Sequence, residues 1–187
     1  MGASLGLAIK NKFADCRITG IVRSEKSKKE GLSRNVASEI FTESEFIEKN
    51  SWNEYEFIIF SLPVDSTEDK IHLFPDDYSG YITDLGSAKT NIISAVEKKY
   101  PREHNYFSSH PMAGSEQSGL LYADKDLYEN RLCILTPPER VNNSAREFVT
   151  NFWQTLGMKT IEICAEDHDE ILSYLSHSPH MISSLLS

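Results

Sequence analysis

His110 stands in the run S-H-P-M-A-G-S-E-Q-S-G, residues 109–119, among two glycines and several small residues. A loop of that composition lets the backbone approach a ligand closely, and an imidazole there can accept a proton near neutral pH. The plainer alternative is a loop histidine hydrogen-bonded for structure. A second run, D-L-G-S-A-K at 84–89, falls at an expected strand-to-helix junction. Ser87 can serve there as an N-cap, its hydroxyl accepting a first-turn N–H. It can equally face a ligand, because open α/β sheets bind ligands at the carboxyl ends of their strands. A third group is His168 and Asp169 with His177 and His180. At about 100° per residue His168 falls with the leucine stripe, while His177 and His180 share another face. That i, i+3 pair has metal-ligand spacing, but only Glu116 could join it, and only through tertiary folding. No metal is expected, and surface histidines are the bland alternative.

The elements that must position these residues follow from periodicity. Residues 16–22 (CRITGIV), 39–41, 56–62 (EFIIFSL), 81–84, 106–107, 131–136 (RLCILT) and 158–163 read as strands. The apolar run at 56–62, stopped by Pro63, suits a central parallel strand with both faces covered. Helices are expected over 4–12, from 24, over 43–49, 66–74 and 88–99. Another carries Phe148, Val149, Phe152, Trp153 and Leu156 on one face, with Gly157 to end it. Strands alternating with helices predict a Rossmann-like, doubly wound, mostly parallel α/β sheet. Residues 167–187 change character. Ile171, Leu172, Leu175, Ile182, Leu185 and Leu186 form one helical stripe with no polar tail after it. The expected organisation is therefore a nucleotide-binding domain over 1–165 and the first helix of a helical domain over 166–187.

The chain opens Met1–Gly2–Ala3–Ser4. That looks like the end of a G-x-G-x-M-G-A-S phosphate turn, with Gly2 as its third glycine and the first strand outside the 187 residues. Such a chain is expected to bind a dinucleotide poorly. The 40% hydrophobic and 25% charged residues suit a globular core. A net charge of −9 disfavours nucleic acid as a partner. No run reaches the roughly 18 apolar residues of a membrane span, and no leader peptide is visible. Cys16, Cys133 and Cys164 lie in apolar runs without metal-like spacing. Buried, reduced thiols and a cytoplasmic location are expected.

Read jointly, DLGSAK at 84–89, SHPMAGSEQSG at 109–119, ILTP at 134–137 and HDEILSYLSHSPH at 168–180 resemble the prephenate/arogenate dehydrogenase family, in its order and spacing. The resemblance implies oxidative decarboxylation of prephenate to 4-hydroxyphenylpyruvate with NAD or NADP, on the way to tyrosine. It implies His110 as the base and Ser87 as the residue that orients the hydroxyl and the histidine. It places Ser115, Glu116, His177 and His180 around the substrate, and Gly2, Val22, Arg23, Ser24, Ser61 and Pro63 around the cofactor. The family's helical second domain implies a homodimer and a further arginine for the substrate. Alternatives are arogenate as substrate, and a truncated chain without activity. Where many NAD-using relatives carry an acidic residue after the second strand, this chain has Val22–Arg23–Ser24. Valine cannot accept from a ribose hydroxyl, whereas arginine and serine can engage a 2′-phosphate, so NADP is slightly favoured.

Overall fold

The computed structural model describes residues 1–49, 51–114 and 119–174. Its elements are α1 (Gly2–Lys12), β1 (Thr19–Val22), α2 (Glu25–Ser33), β2 (Glu39–Thr42), α3 (Glu43–Lys49), β3 (Phe57–Phe60) and α4 (Val64–Ile71). They continue with β4 (Tyr81–Asp84), α5 (Thr90–Lys99), β5 (Ser108–Pro111), β6 (Leu132–Thr136), α6 (Asn143–Thr155), β7 (Lys159–Glu162) and α7 (Ala165–Leu172). The expected alternation is present. β1 pairs with β2, β3 with β4 and β6 with β7, all parallel, while β5 runs antiparallel to β6. A parallel bridge between Ile82 and Tyr106 links β4 to the segment entering β5.

Helices cover both faces, and β3 shows why its sequence is apolar throughout. Phe57 and Ile59 pack into a cluster built with α1 and α6, which includes Leu5, Ile9, Val149 and Trp153. Ile58 and Phe60 pack into the opposite cluster with α4 and α5, which includes Ile71, Ile92 and Val96. A strand buried on both faces needs apolar residues at every position. The α6 helix buries Ala145, Val149, Phe152 and Trp153 and stops at Gly157, whose φ of +88° suits glycine. Burying each large apolar side chain of that face stabilises the fold by about 1.5–3 kcal/mol.

Several expectations need correction. His110 lies inside β5 rather than in a loop, because Ser108–Pro111 pairs with Cys133–Thr136. Of the three cysteines only Cys133 is buried; Cys16 and Cys164 are exposed. Cys16 sits past α1, before β1 begins, and Cys164 is the N-cap of α7, its sulfur accepting from Asp167 N at 3.4 Å. Both lie outside the paired strands β1 and β7 that adjoin them. No helix among the described residues is long and apolar enough to cross a membrane.

Candidate functional site

The parallel strands β1, β3 and β4 end at Val22, Phe60 and Asp84. The segment leading into β5 runs parallel to β4, so Pro111 arrives at the same end as Asp84. Two hydroxyls fasten this junction. Ser109 Oγ donates to the Asp84 carbonyl at 2.7 Å and lies 2.8 Å from Thr83 Oγ1. The loops leaving the strand ends then line one cleft of about 510 Å³, bounded by Met1, Leu62, Pro63, Gly86, Ser87 and His110 among others. Its size falls in the range of small-molecule sites. Ser87 and His110, 23 residues apart in sequence, thus share one concavity.

Ser87 is exposed at the cleft and does not cap α5, contrary to the capping alternative. The helix starts at Thr90, and its first N–H groups find a distant acceptor. Asp169, from α7, accepts from Lys89 N at 2.8 Å through Oδ1 and from Thr90 N at 2.9 Å through Oδ2. Thr90 Oγ1 donates to the same Oδ2 at 2.6 Å. Burial raises the Asp169 carboxyl pKa, but donation from Thr90, His168 and Lys89 outweighs that, and the net shift is downward. The group is therefore a carboxylate at neutral pH.

His110 is buried, with 8% exposure, and its Nδ1 lies 2.9 Å from Nε2 of His168. His168 Nδ1 in turn lies 2.7 Å from Asp169 Oδ1. His168 is fully buried, which sets aside the surface alternative for this member of the histidine group. Its place on the apolar stripe was the signal for that, since a residue on that stripe faces the core. Burial, helped by the nearby Lys89 ammonium and by His168, holds the His110 pKa down to about 4. Burial likewise lowers that of His168, against the pull of Asp169. Both imidazoles are neutral at physiological pH, so His110 is in the form that accepts a proton.

Beneath the cleft lies a buried ion pair that sequence reading assigned no role. Lys89 Nζ is 2.5 Å from Asp84 Oδ2 and also donates to Ser109 O at 2.6 Å, and both charged side chains are fully buried. Asp84 accepts further from Gly86 N, Tyr106 OH and Ser108 Oγ. Burial lowers the Lys89 pKa even against the attraction of Asp84. The pair could have been suspected from two opposite charges five residues apart across a strand-to-helix junction.

The residues expected around a cofactor fall on the same side. Gly2 opens α1, and a Cβ on it would stand 2.7 Å from Ser61 Oγ. Gly6 packs more tightly: a Cβ there would lie 2.2 Å from the Val36 carbonyl oxygen. Close packing of α1 thus rests on Gly6 as much as on Gly2. Pro63 is the N-cap of α4. Val22 ends β1 half-buried, and Arg23 reaches across to Ser66 Oγ of α4 at 3.4 Å. Ser24 caps α2, accepting from Ser27 N at 3.2 Å. Ser115, Glu116, His177 and His180 lie outside the described residues.

Comparison with known proteins bears on this arrangement. The family described as prephenate dehydrogenase, nucleotide-binding domain, matches residues 5–162. The prephenate dehydrogenase of Bacillus subtilis is 30% identical over 190 residues, covering 100% of this chain and 50% of its own. A structure of the Aquifex aeolicus prephenate dehydrogenase, in complex with hydroxyphenyl propionate and NAD+, superposes with a TM-score of 0.87 at 24% identity, over 98% of this chain and 63% of that one. The Synechocystis arogenate dehydrogenase gives 0.81 at 22% identity, over 98% and 63%. These two likenesses concern the fold. The chain spans about half the length of the curated relatives it matches from end to end.

Proposed function

The chain belongs to the prephenate dehydrogenase family through the match over residues 5–162, and on that premise we propose that it forms the cofactor-binding half of an enzyme that oxidises prephenate to 4-hydroxyphenylpyruvate and carbon dioxide. The observation that carries the reading is His110: a neutral, buried imidazole on the cleft that Ser87 shares. The bound nicotinamide cofactor would supply the hydride acceptor. His110 takes the proton of the ring hydroxyl as the carbinol carbon becomes a carbonyl. Loss of the ring carboxylate then sends the C–C bonding electrons through the ring to that oxygen. His110 returns its proton to the resulting phenolate, so the proton count balances. Ser87 orients the hydroxyl toward the imidazole. Ser115, Glu116, His177 and His180 complete the substrate surroundings.

The residues present fit a dinucleotide. The first turn of α1 has no side-chain cap and no acidic residue, and Met1 lines the cleft, so its N–H groups suit a pyrophosphate. Gly2, Ser61 and Pro63 would flank that group. Val22, Arg23 and Ser24 would meet the adenosine ribose, where the absence of a carboxylate supports NADP over NAD. On this reading residues 1–165 are the nucleotide-binding domain. Residues 166–187 begin a helical domain that pairs two copies in the cytoplasm.

The test is spectrophotometric, on the full-length protein, following the reduced nicotinamide with prephenate or arogenate and with NAD or NADP. His110→Asn is expected to lose about 10²–10⁴-fold in kcat with little change in cofactor affinity. Near-wild-type turnover would reject the base. Preference for arogenate would revise the substrate. An NADP preference unmoved by Arg23→Ala, or a preference for NAD, would reject the cofactor argument.

A further inference from the structure

We propose that His168 and Asp169 are positioning residues that hold His110 in one tautomer, with its proton on Nδ1 and the lone pair on Nε2. The inference rests on the reading of His110 as the base and adds to it the device that makes the imidazole usable.

Asp169 sets the proton positions on both rings in turn. A carboxylate only accepts hydrogen bonds, so the His168 nitrogen 2.7 Å from it, Nδ1, carries a proton. In neutral His168 the other nitrogen, Nε2, is then an acceptor. It lies 2.9 Å from His110 Nδ1, and two lone pairs cannot face each other at that distance. His110 Nδ1 therefore donates, and the basic lone pair falls on Nε2. The opposite assignment fails at one contact or the other. With the proton on His110 Nε2, either two acceptors meet between the rings, or His168 turns a lone pair toward the carboxylate. Both imidazoles are buried, His168 completely, so water cannot relieve that conflict.

The carboxylate at the end of this chain is itself immobilised. Its two oxygens take Lys89 N, Thr90 N and Thr90 Oγ1 at the first turn of α5. One side chain thus docks α7 onto α5 and sets the proton arrangement of a ring 58 residues before His168 in sequence. The charged groups around the two rings are Lys89, Asp84 and Asp169. Lys89 is paired with Asp84 at 2.5 Å, whereas Asp169 is the charged group in direct hydrogen-bond contact with His168.

The experiment is a long-range ¹H–¹⁵N correlation spectrum of the histidine rings in the full-length protein, with signals assigned through His110→Asn and His168→Gln. Wild type should show His110 with its proton on Nδ1. His168→Phe removes the acceptor, and His110 should then shift to the other tautomer or a mixture. In that variant kcat should fall by about 10²-fold, at the lower end of a general base's contribution, with the KM for cofactor unchanged. His168→Gln offers an amide oxygen near the lost nitrogen and should restore both the Nδ1–H signal and most of kcat. A wild-type spectrum with the proton on Nε2, or a tautomer indifferent to His168→Phe in a folded protein, would overturn the proposal. Should His168→Phe fail to fold, the wild-type spectrum and His168→Gln still decide it. Full turnover in His110→Asn would remove the base assignment while leaving the tautomer result to be judged separately.

Discussion

Replacing Lys89 by methionine should destabilise the fold more than replacing Asp84 by asparagine, and the two changes should not add. At 2.5 Å and an effective dielectric of about 20, the attraction between the two charges is on the order of 7 kcal/mol. Desolvation of two fully buried ions offsets most of that, several kcal/mol for each. Methionine keeps the volume of the lysine stem and removes only the cation. Asp84 then loses its cationic partner and keeps Gly86 N, Tyr106 OH and Ser108 Oγ, three neutral donors that cannot replace a charge. The expected cost is about 3–5 kcal/mol, the range for breaking a buried pair from one side. Asp84→Asn strands the ammonium instead, but burial already lowers the Lys89 pKa, and the amine can shed its proton. Its cost should be about 1–3 kcal/mol. The double variant should cost at least about 1 kcal/mol less than the sum of the single changes. Urea unfolding followed by the fluorescence of Trp52 and Trp153 measures all three. A Lys89→Met cost below about 1 kcal/mol, or simple additivity, would refute the view that these charges are held as a mutually dependent pair.

Gly6→Ala should destabilise by about 1–3 kcal/mol or more, because its Cβ would meet the Val36 carbonyl oxygen at 2.2 Å; a midpoint shift in the same urea titration checks this. His110 has a folded pKa near 4 against about 6.5 unfolded, so the unfolded chain binds more protons between those values. Its contribution to stability is full above about pH 6.5 and is lost as pH falls toward 4, by about 3 kcal/mol. His110→Asn should flatten that part of the pH–stability curve, and an unchanged slope would count against the neutral assignment. The acid limb of turnover should likewise fall near pH 4 rather than 6.5. Thiol titration with a disulfide reagent should find Cys16 and Cys164 in the native protein, and Cys133, buried with its pKa raised, only after unfolding.

Local spacing made much of the architecture legible. The pattern Y-I-T-D at 81–84 is β4 to the residue, and the spacing of Val149, Phe152, Trp153 and Leu156 before Gly157 describes α6 and its end. Such features are encoded by neighbours: side chains alternate along a strand and recur every three or four residues along a helix, so the buried face can be read from the chain itself. The runs around Ser87 and His110 were visible for the same reason, as unusual local compositions. Their meeting at one cleft, and the partners that tune them, were not. Ser87 fits the sequence pattern of an N-cap, but the acceptor for the first turn of α5 is Asp169, 79 residues beyond Thr90. His110 followed a short apolar pair and so read as loop, whereas pairing with β6 draws it into a strand. Cys16 and Cys164 read as buried because their sequence neighbours are apolar, yet they fall outside the paired segments that those neighbours form. The sequence could present an imidazole; its neutral state comes from burial, and its link to His168 and Asp169 spans 58 residues. Burial and hydrogen-bond geometry belong to the packed chain, because both depend on which distant groups displace water from a side chain and what they offer in its place.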